Sequence, residues 1–310
     1  MTMTYASNIP TKEWVHARQT YLGGSELAAA LGKSPYQTPL QLWMLKTGRS
    51  EPFLSTPITE FGHLFEPIMA EKFTELTGLR VRKISDAYEH PGHSFLRGNI
   101  DRQIVSSDRH DGPGVLEIKT TNSYRLKNEQ GAYPRSWYYQ LQHYLMLTGY
   151  EYGYIFFFER DTGIFHDPIY IERDEPFIEQ NTQLAINWWR RYIVTDTPPD
   201  PVNHEDVLIL YPDAQEGTSL EANPQSYAYY KRLKNVRSRM DELKEHESAL
   251  QLLLKQEIGD YERLSLADRD LITWKNQVTN RLDTKALKKD HPSLCEQYTK
   301  QTETRRFTIK

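Results

Sequence analysis

Cysteine is nearly absent: the 310 residues contain one, Cys295. A single thiol excludes a disulfide framework, and with it any four-cysteine metal or iron–sulfur site. Long apolar runs are missing too. No stretch approaches the roughly 20 apolar residues that span a bilayer, and the opening MTMTYASNIP lacks an apolar signal segment, so a cytoplasmic protein with no membrane partner is expected. Nor is there an excess of basic charge, since 38 Lys and Arg face 42 Asp and Glu for a formal net charge of −4. Any contact with a polyanion must therefore be local, in a patch or groove. What remains is 38% hydrophobic, 12% aromatic and 26% charged, the make-up of a globular chain with a real core. The length suits one large domain, or a catalytic domain with an appendage.

Residues 14–48 read as short helices broken by turns. "GGSELAAALG" is a glycine turn, Ser25 as a candidate N-cap, and a helix ended by Gly32; "SPYQTPLQLWMLKTG" starts another, with Leu40, Trp43 and Met44 on one stripe. "EFGHLFEPIMAEKFTELTG" is a third, its expected apolar face made by Leu64, Phe65, Ile68, Met69, Phe73 and Leu76, with Pro67 near its first turns or kinking it. From Leu79 to Thr121 the period shifts to strands. "LRGNIDRQIV" and "VLEIKT", joined by the turn "RHDGPG", predict a hairpin. "SWYYQLQHYLMLTG" predicts a helix, "YGYIFFFER" with "GIFHDPIYIER" a second hairpin pair, and "EPFIEQNTQLAINWWRRYI" a long helix. This order predicts an α/β core with a mixed sheet. "TDTPPDPVNHEDV" reads as a linker. Apolar positions from Tyr227 to Leu253 then suit one long amphipathic helix with the spacing of a coiled-coil arm, and a short strand pair around the helix "DTKALKKD" is expected at the end.

The stretch "GVLEIKTTN", residues 114–122, carries the chemistry. As a strand it puts Val115, Glu117 and Lys119 on one face and Leu116 and Ile118 on the other. Glu66 on a helix and Asp101 on the preceding strand come before it; Gln140 and Tyr144, one helical turn apart, follow. Each residue alone has an ordinary explanation: a solvated ion pair, a strand-end acid, a helix-face amide. Their joint order is specific, because it suits metal-assisted phosphodiester cleavage. Mg²⁺ takes a few hard carboxylate oxygens and keeps water for the rest of its octahedron. A lysine beside a ligand can orient that water or stabilise charge on the phosphoryl group.

With "GGSELAAALGKSPYQTPLQLWMLKTG", "FGHLFEPIMAEKFTELTG", "FLRGNIDR", "LEIKTTN" and "YYQLQHYLMLTG", the chain resembles the YqaJ-type viral recombinases, relatives of lambda exonuclease in the PD-(D/E)xK nuclease superfamily. The likeness covers about residues 15–215 and departs at "NID", where the superfamily often has a proline before the acid. It implies a PD-(D/E)xK restriction-endonuclease-like core, with a mixed central sheet flanked by helices, as an exonuclease domain over residues 1–215. Residues 216–310 would be a helical, coiled-coil-like extension with a small basic terminal module. The resemblance implies Asp101 and Glu117 as metal ligands, Glu66 as a third, the Ile118 backbone carbonyl as a further oxygen, and Lys119 as the catalytic lysine. Gln140 would hold that lysine or the substrate, and Tyr144 would support the site. It further implies Mg²⁺, with Mn²⁺ expected to substitute, and degradation of one strand of duplex DNA from its 5′ end, leaving a 3′ tail for a single-strand annealing protein. A homo-trimer ring is the corresponding assembly.

Two further features are separate. "RQTYLGGSE" sets Arg18 seven residues before Ser25, behind two glycines. Such a turn can hold a 5′-phosphate through a hydroxyl and a forked guanidinium, or it can be a plain cap beside a solvated arginine. From Thr273 to Lys310 nine bases face four acids, a solvated tail or a module for DNA or a partner. The competing functions are an endonuclease on the same fold and a non-catalytic DNA-end-binding scaffold.

Overall fold

The computed structural model describes residues 17–51, 56–105, 111–127 and 133–310. The chain divides into two units, Met1–Leu210 and Tyr211–Lys310. In the first, a 3-10 turn, Arg18–Thr20, leads into α1 (Gly24–Ala30) and α2 (Pro39–Lys46). Thr38 and Gln41 close a reciprocal capping box at the start of α2, with side chains accepting from each other's backbone N–H at 3.1 and 3.0 Å. The long α3 (Pro57–Thr77) starts at a Thr56 cap and stops where Gly78 turns to φ 74°. It begins earlier than its apolar pattern suggests, so Pro67 lies deep in the helix and deprives the His63 carbonyl of its usual donor.

The strands follow as β1 (Val81–Arg82), β2 (Tyr88–His90), β3 (His93–Gly98), β4 (Arg102–Ile104) and β5 (Gly114–Thr121). After α4 (Ser123–Lys127) and α5 (Arg135–Thr148) come β6 (Tyr152–Glu159), β7 (Ile164–Phe165), β8 (Ile169–Glu172) and α6 (Glu175–Trp188). The main sheet runs β1-β4-β5-β6-β7, with β8 also on β6. Within it β5 and β6 run parallel, and α5 provides the crossover between them. The expected β4–β5 and β6–β7–β8 hairpins are present; of the "RHDGPG" turn, Arg109 and His110 lie outside the described residues. β2 and β3 form their own two-stranded ribbon, so "LRGNIDRQIV" is two strands broken at Asn99–Asp101 rather than one. This is the mixed α/β architecture that the sequence predicts.

Alternation along β5 and β6 separates two cores. Leu116, Ile118, Tyr154 and Phe156 pack with Met69, Ala70 and Phe73 of α3. Val115, Ile155 and Phe157 pack with Trp137, Leu141, Tyr144 and Leu145 of α5 on the other face. The expected apolar face of α3 needs correction. Phe65, Met69 and Phe73 follow one another at helical spacing against the sheet, but Leu64, Ile68 and Leu76 stay half exposed. Leu64 and Ile68 sit about 100° around the helix from that stripe, and the sheet is covered by only one of the two rows.

The proline-rich linker is also more structured than expected. It holds α7 (His204–Leu210), and the fully buried Asp206 accepts from the Thr38 hydroxyl at 2.8 Å and the Val202 N–H at 3.0 Å. In the second unit, α8 (Pro224–Ile258) is a single 35-residue helix, capped by the Asn223 side chain. β9 (Arg263–Leu266) and β10 (Arg269–Thr273) form a hairpin that precedes α9 (Thr284–Asp290) and α10 (Pro292–Tyr298). The strand pair therefore does not straddle the "DTKALKKD" helix, since both of its strands precede it.

Phe73 is fully buried and meets Tyr154 edge-on at 5.4 Å. Phe73→Ala should cost about 3–5 kcal/mol, read as a lower urea midpoint at unchanged slope.

Candidate active site

β5 places Glu117 and Lys119 on the α5 face, and α5 meets them with Gln140 and Tyr144. The Lys119 ammonium lies 2.6 Å from Glu117 Oε1 and donates to Gln140 Oε1 at 2.9 Å. The Gln140 amide in turn donates to the Tyr144 hydroxyl at 3.1 Å. Asp101, at the break between β3 and β4, accepts from the Ile118 backbone N–H at 2.8 Å, which fixes its carboxyl beside the same strand. Asp101, Glu117, Lys119, Gln140 and Tyr144 are thus brought together as expected.

Glu117 is fully buried, and apart from the Lys119 ammonium at Oε1 neither of its carboxyl oxygens has a hydrogen bond among the described residues. Burial pushes its carboxyl up from the usual range, and the neighbouring Lys119 only partly offsets this. Asp101 is pushed well up by burial and then by the charge of Glu117. Tyr144 is raised by burial and by both carboxylates. Two acids held together without enough donors are a place for a cation. The donor set suits Mg²⁺, which takes few protein oxygens and keeps its water.

Glu66 stands apart. It lies on α3, which covers the Leu116 and Ile118 face, whereas Glu117 points to the other. Arg102 is paired with Leu116 across the β4–β5 ladder, shares that face, and engages the Glu66 carboxylate. The charge of Glu66 still helps raise Asp101 and Glu117. Among the described residues, no three His, Cys, Asp and Glu side chains gather as a ready-made metal cage.

Arg18 and Ser25 do meet: the guanidinium donates to the Ser25 hydroxyl at 2.9 Å and lies 3.4 Å from Glu26. Ser25 is not the cap of α1. Gly23 holds that position, and its N–H donates to the Glu26 carboxylate at 2.9 Å, leaving the Ser25 hydroxyl turned to Arg18. Sequence reasoning missed what holds this turn. Lys46 is buried, and its ammonium donates to the Arg18 and Tyr21 carbonyls at 2.5 Å each and to Glu26 at 2.8 Å. In sequence it is one more lysine at a helix end. Also unforeseen are Gly24 and Gly98: a Cβ on either would stand 2.7 or 2.6 Å from the Tyr144 ring. Tyr144 is therefore wedged between the Arg18 turn and the strand leading to Asp101.

Residues 13–151 match the YqaJ-like viral recombinase domain. The chain is 29% identical to the uncharacterized protein YqaJ of Bacillus subtilis (strain 168), over 98% of this chain and 95% of that protein. Among solved structures it is similar to an alkaline exonuclease (LHK-Exo) from Laribacter hongkongensis, at 18% identity and a TM-score of 0.48 over 60% of this chain and 94% of the other. It is also similar to a phage-related exonuclease from Haemophilus somnus 129PT, at 14% identity and a TM-score of 0.41 over 56% and 96%. The strand-borne acid, the Glu-x-Lys strand and the Gln-x-x-x-Tyr helix all fall inside the segment that matches the YqaJ-like viral recombinase domain.

Proposed function

We propose that this protein is a Mg²⁺-dependent exonuclease that degrades duplex DNA from the 5′ end and leaves 3′ single-stranded tails for recombination. The observation that carries the reading is the buried, hydrogen-bond-poor Glu117 carboxylate, set between Lys119 and the Asp101 strand break. Asp101 and Glu117 would hold the metal, the Ile118 carbonyl adding an oxygen, and Glu66 would join only by leaving Arg102. A bound Mg²⁺ supplies Lewis-acid polarisation of the phosphoryl oxygen and a more acidic water. Lys119, partly open to solvent, presents its charge where negative charge builds on the phosphoryl group. Gln140 keeps that ammonium from collapsing wholly onto Glu117, and Tyr144 fixes Gln140. Arg18 and Ser25 would grip the 5′-phosphate, so that each cut presents the next bond to the same acids. A single-strand annealing protein would take the tails, and a ring of three copies would keep the duplex threaded; Mn²⁺ should replace Mg²⁺.

Digestion of linear and circular duplexes in Mg²⁺ tests the reading. Loss of linear DNA alone is expected; nicked circles would mark an endonuclease, and two intact substrates a scaffold. Glu117→Gln and Asp101→Asn should abolish cleavage. Lys119→Ala should lose about 3 kcal/mol of transition-state stabilisation, over a hundredfold in rate, while still binding DNA ends. Near-normal digestion by Glu117→Gln would sink the assignment.

The raised acids give a readout that needs no DNA. A carboxyl whose folded pKa exceeds its unfolded one stabilises the fold below the unfolded value, about 4, and loses that contribution as pH rises through the folded one. Metal-free protein should therefore lose melting temperature on this limb, and Mg²⁺, which prefers the ionised acids, should restore it increasingly with pH. Glu117→Gln should flatten both trends. A Mg²⁺ shift equal in wild type and variant would place the metal elsewhere.

Arg18→Ala should slow digestion of 5′-phosphorylated ends and narrow their advantage over 5′-hydroxyl ends, with the Mg²⁺ melting shift unchanged. If the wild type has no preference for a 5′-phosphate, Arg18 and Ser25 are not its pocket.

A further inference from the structure

The second unit carries a surface that the nuclease reading does not use. α8 is exposed along almost its whole length, and Ile258 at its end is its one buried residue among those described. From Tyr229 its apolar residues step by four and three in turn: Leu233, Val236, Met240, Leu243, then Leu250 and Leu254. Glu247 takes the remaining place in that register. The apolar seven are 37% to 66% exposed. A seam with this period over some 3–4 heptads is what a helix offers to another helix in a left-handed coiled coil. A row of leucines and a valine in water is not what a solvated spacer needs.

The residues beside the seam say which helix. The flanking positions hold Arg232, Arg237, Arg239, Lys244 and His246, together with Tyr230, Gln251 and Leu253, and no acid. Besides Glu247, the acids between Tyr229 and Leu254 are Asp241, Glu242 and Glu245, which lie on the outer surface, where Asp241 reaches Lys244 at 3.6 Å. A second copy is disfavoured in either orientation. Parallel pairing sets Arg232 against Arg237 and Arg239 against Lys244, and antiparallel pairing again sets cations against cations. Duplex DNA would answer the charges and leave the seam bare.

We infer that α8 takes one helix of a partner protein, with an apolar seam of its own flanked by Asp and Glu, in a heterotypic coiled coil. Glu247, the charged place in an otherwise apolar seam, fixes the register by calling for a basic residue opposite. This inference stands apart from the nuclease reading, and its test reads binding alone.

The probe is a synthetic peptide of about four heptads with leucine in the seam, glutamate on both flanks and one lysine to face Glu247. Its control has lysine on both flanks. The full-length protein should bind the acidic peptide at least about tenfold more tightly than the basic one by fluorescence anisotropy. Met240→Asp should abolish this while leaving far-UV helicity and DNA cleavage unchanged. Reversing Arg232, Arg237, Arg239 and Lys244 to glutamate should switch the preference to the basic peptide. Equal or absent binding of the two peptides overturns the inference. So does a concentration-dependent dimer in sedimentation equilibrium that Met240→Asp dissolves, since the occupant is then a second copy. Loss of duplex binding on charge reversal, with no peptide bound by the wild type, overturns it in favour of DNA.

Discussion

A carboxylate with no exposure and a single ammonium for a partner is costly, and Glu117 is one. Removing an ion from water costs several kcal/mol even after relaxation, and one ammonium at 2.6 Å returns only part of it. The strand that carries Glu117 must therefore be held by everything around it. β5 is central in the sheet, antiparallel to β4 on one side and parallel to β6 on the other, with α3 and α5 closing its two faces. Leu116 and Ile118 bury the α3 side completely enough that the α5 side can carry charge. The apolar half of the strand stabilises what the acidic half destabilises.

That division explains the fate of Glu66. The helix brings Glu66 to the face of the strand that carries Leu116 and Ile118. Arg102 then becomes the natural partner, because antiparallel pairing with Leu116 points it at α3. The sheet thus separates a face where two raised acids meet one lysine from a face where acid and base neutralise each other. Glu66 acts across that boundary through its charge alone, making both buried acids harder to ionise without a cation.

Much of this was legible because strand period is a local property. "GVLEIKTTN" shows which residues share a face before any contact is known, and the i, i+4 pair Gln140 and Tyr144 is equally plain. Illegible were the features that depend on which surface covers which. α3 offers two adjacent apolar rows, and nothing in its sequence says that Phe65, Met69 and Phe73 win over Leu64 and Ile68. Ser25 has the chemistry of a cap, yet Glu26 reaches back to the Gly23 N–H first, and a competition between neighbours is decided by geometry. Lys46 looks like any lysine near a helix end. Its burial is visible only once two backbone carbonyls and Glu26 are seen to converge on it.

The two halves of the site are joined by packing rather than by charge. Tyr144 needs the missing side chains of Gly24 and Gly98 to lie where it does, so its ring sets the distance from the Arg18 turn to the Asp101 break. Its hydroxyl meanwhile holds Gln140, and through it Lys119. One aromatic side chain therefore ties the place proposed for a 5′-phosphate to the place proposed for the cut. α1 lies against α5, so the link between Arg18 and the two buried acids is stiff.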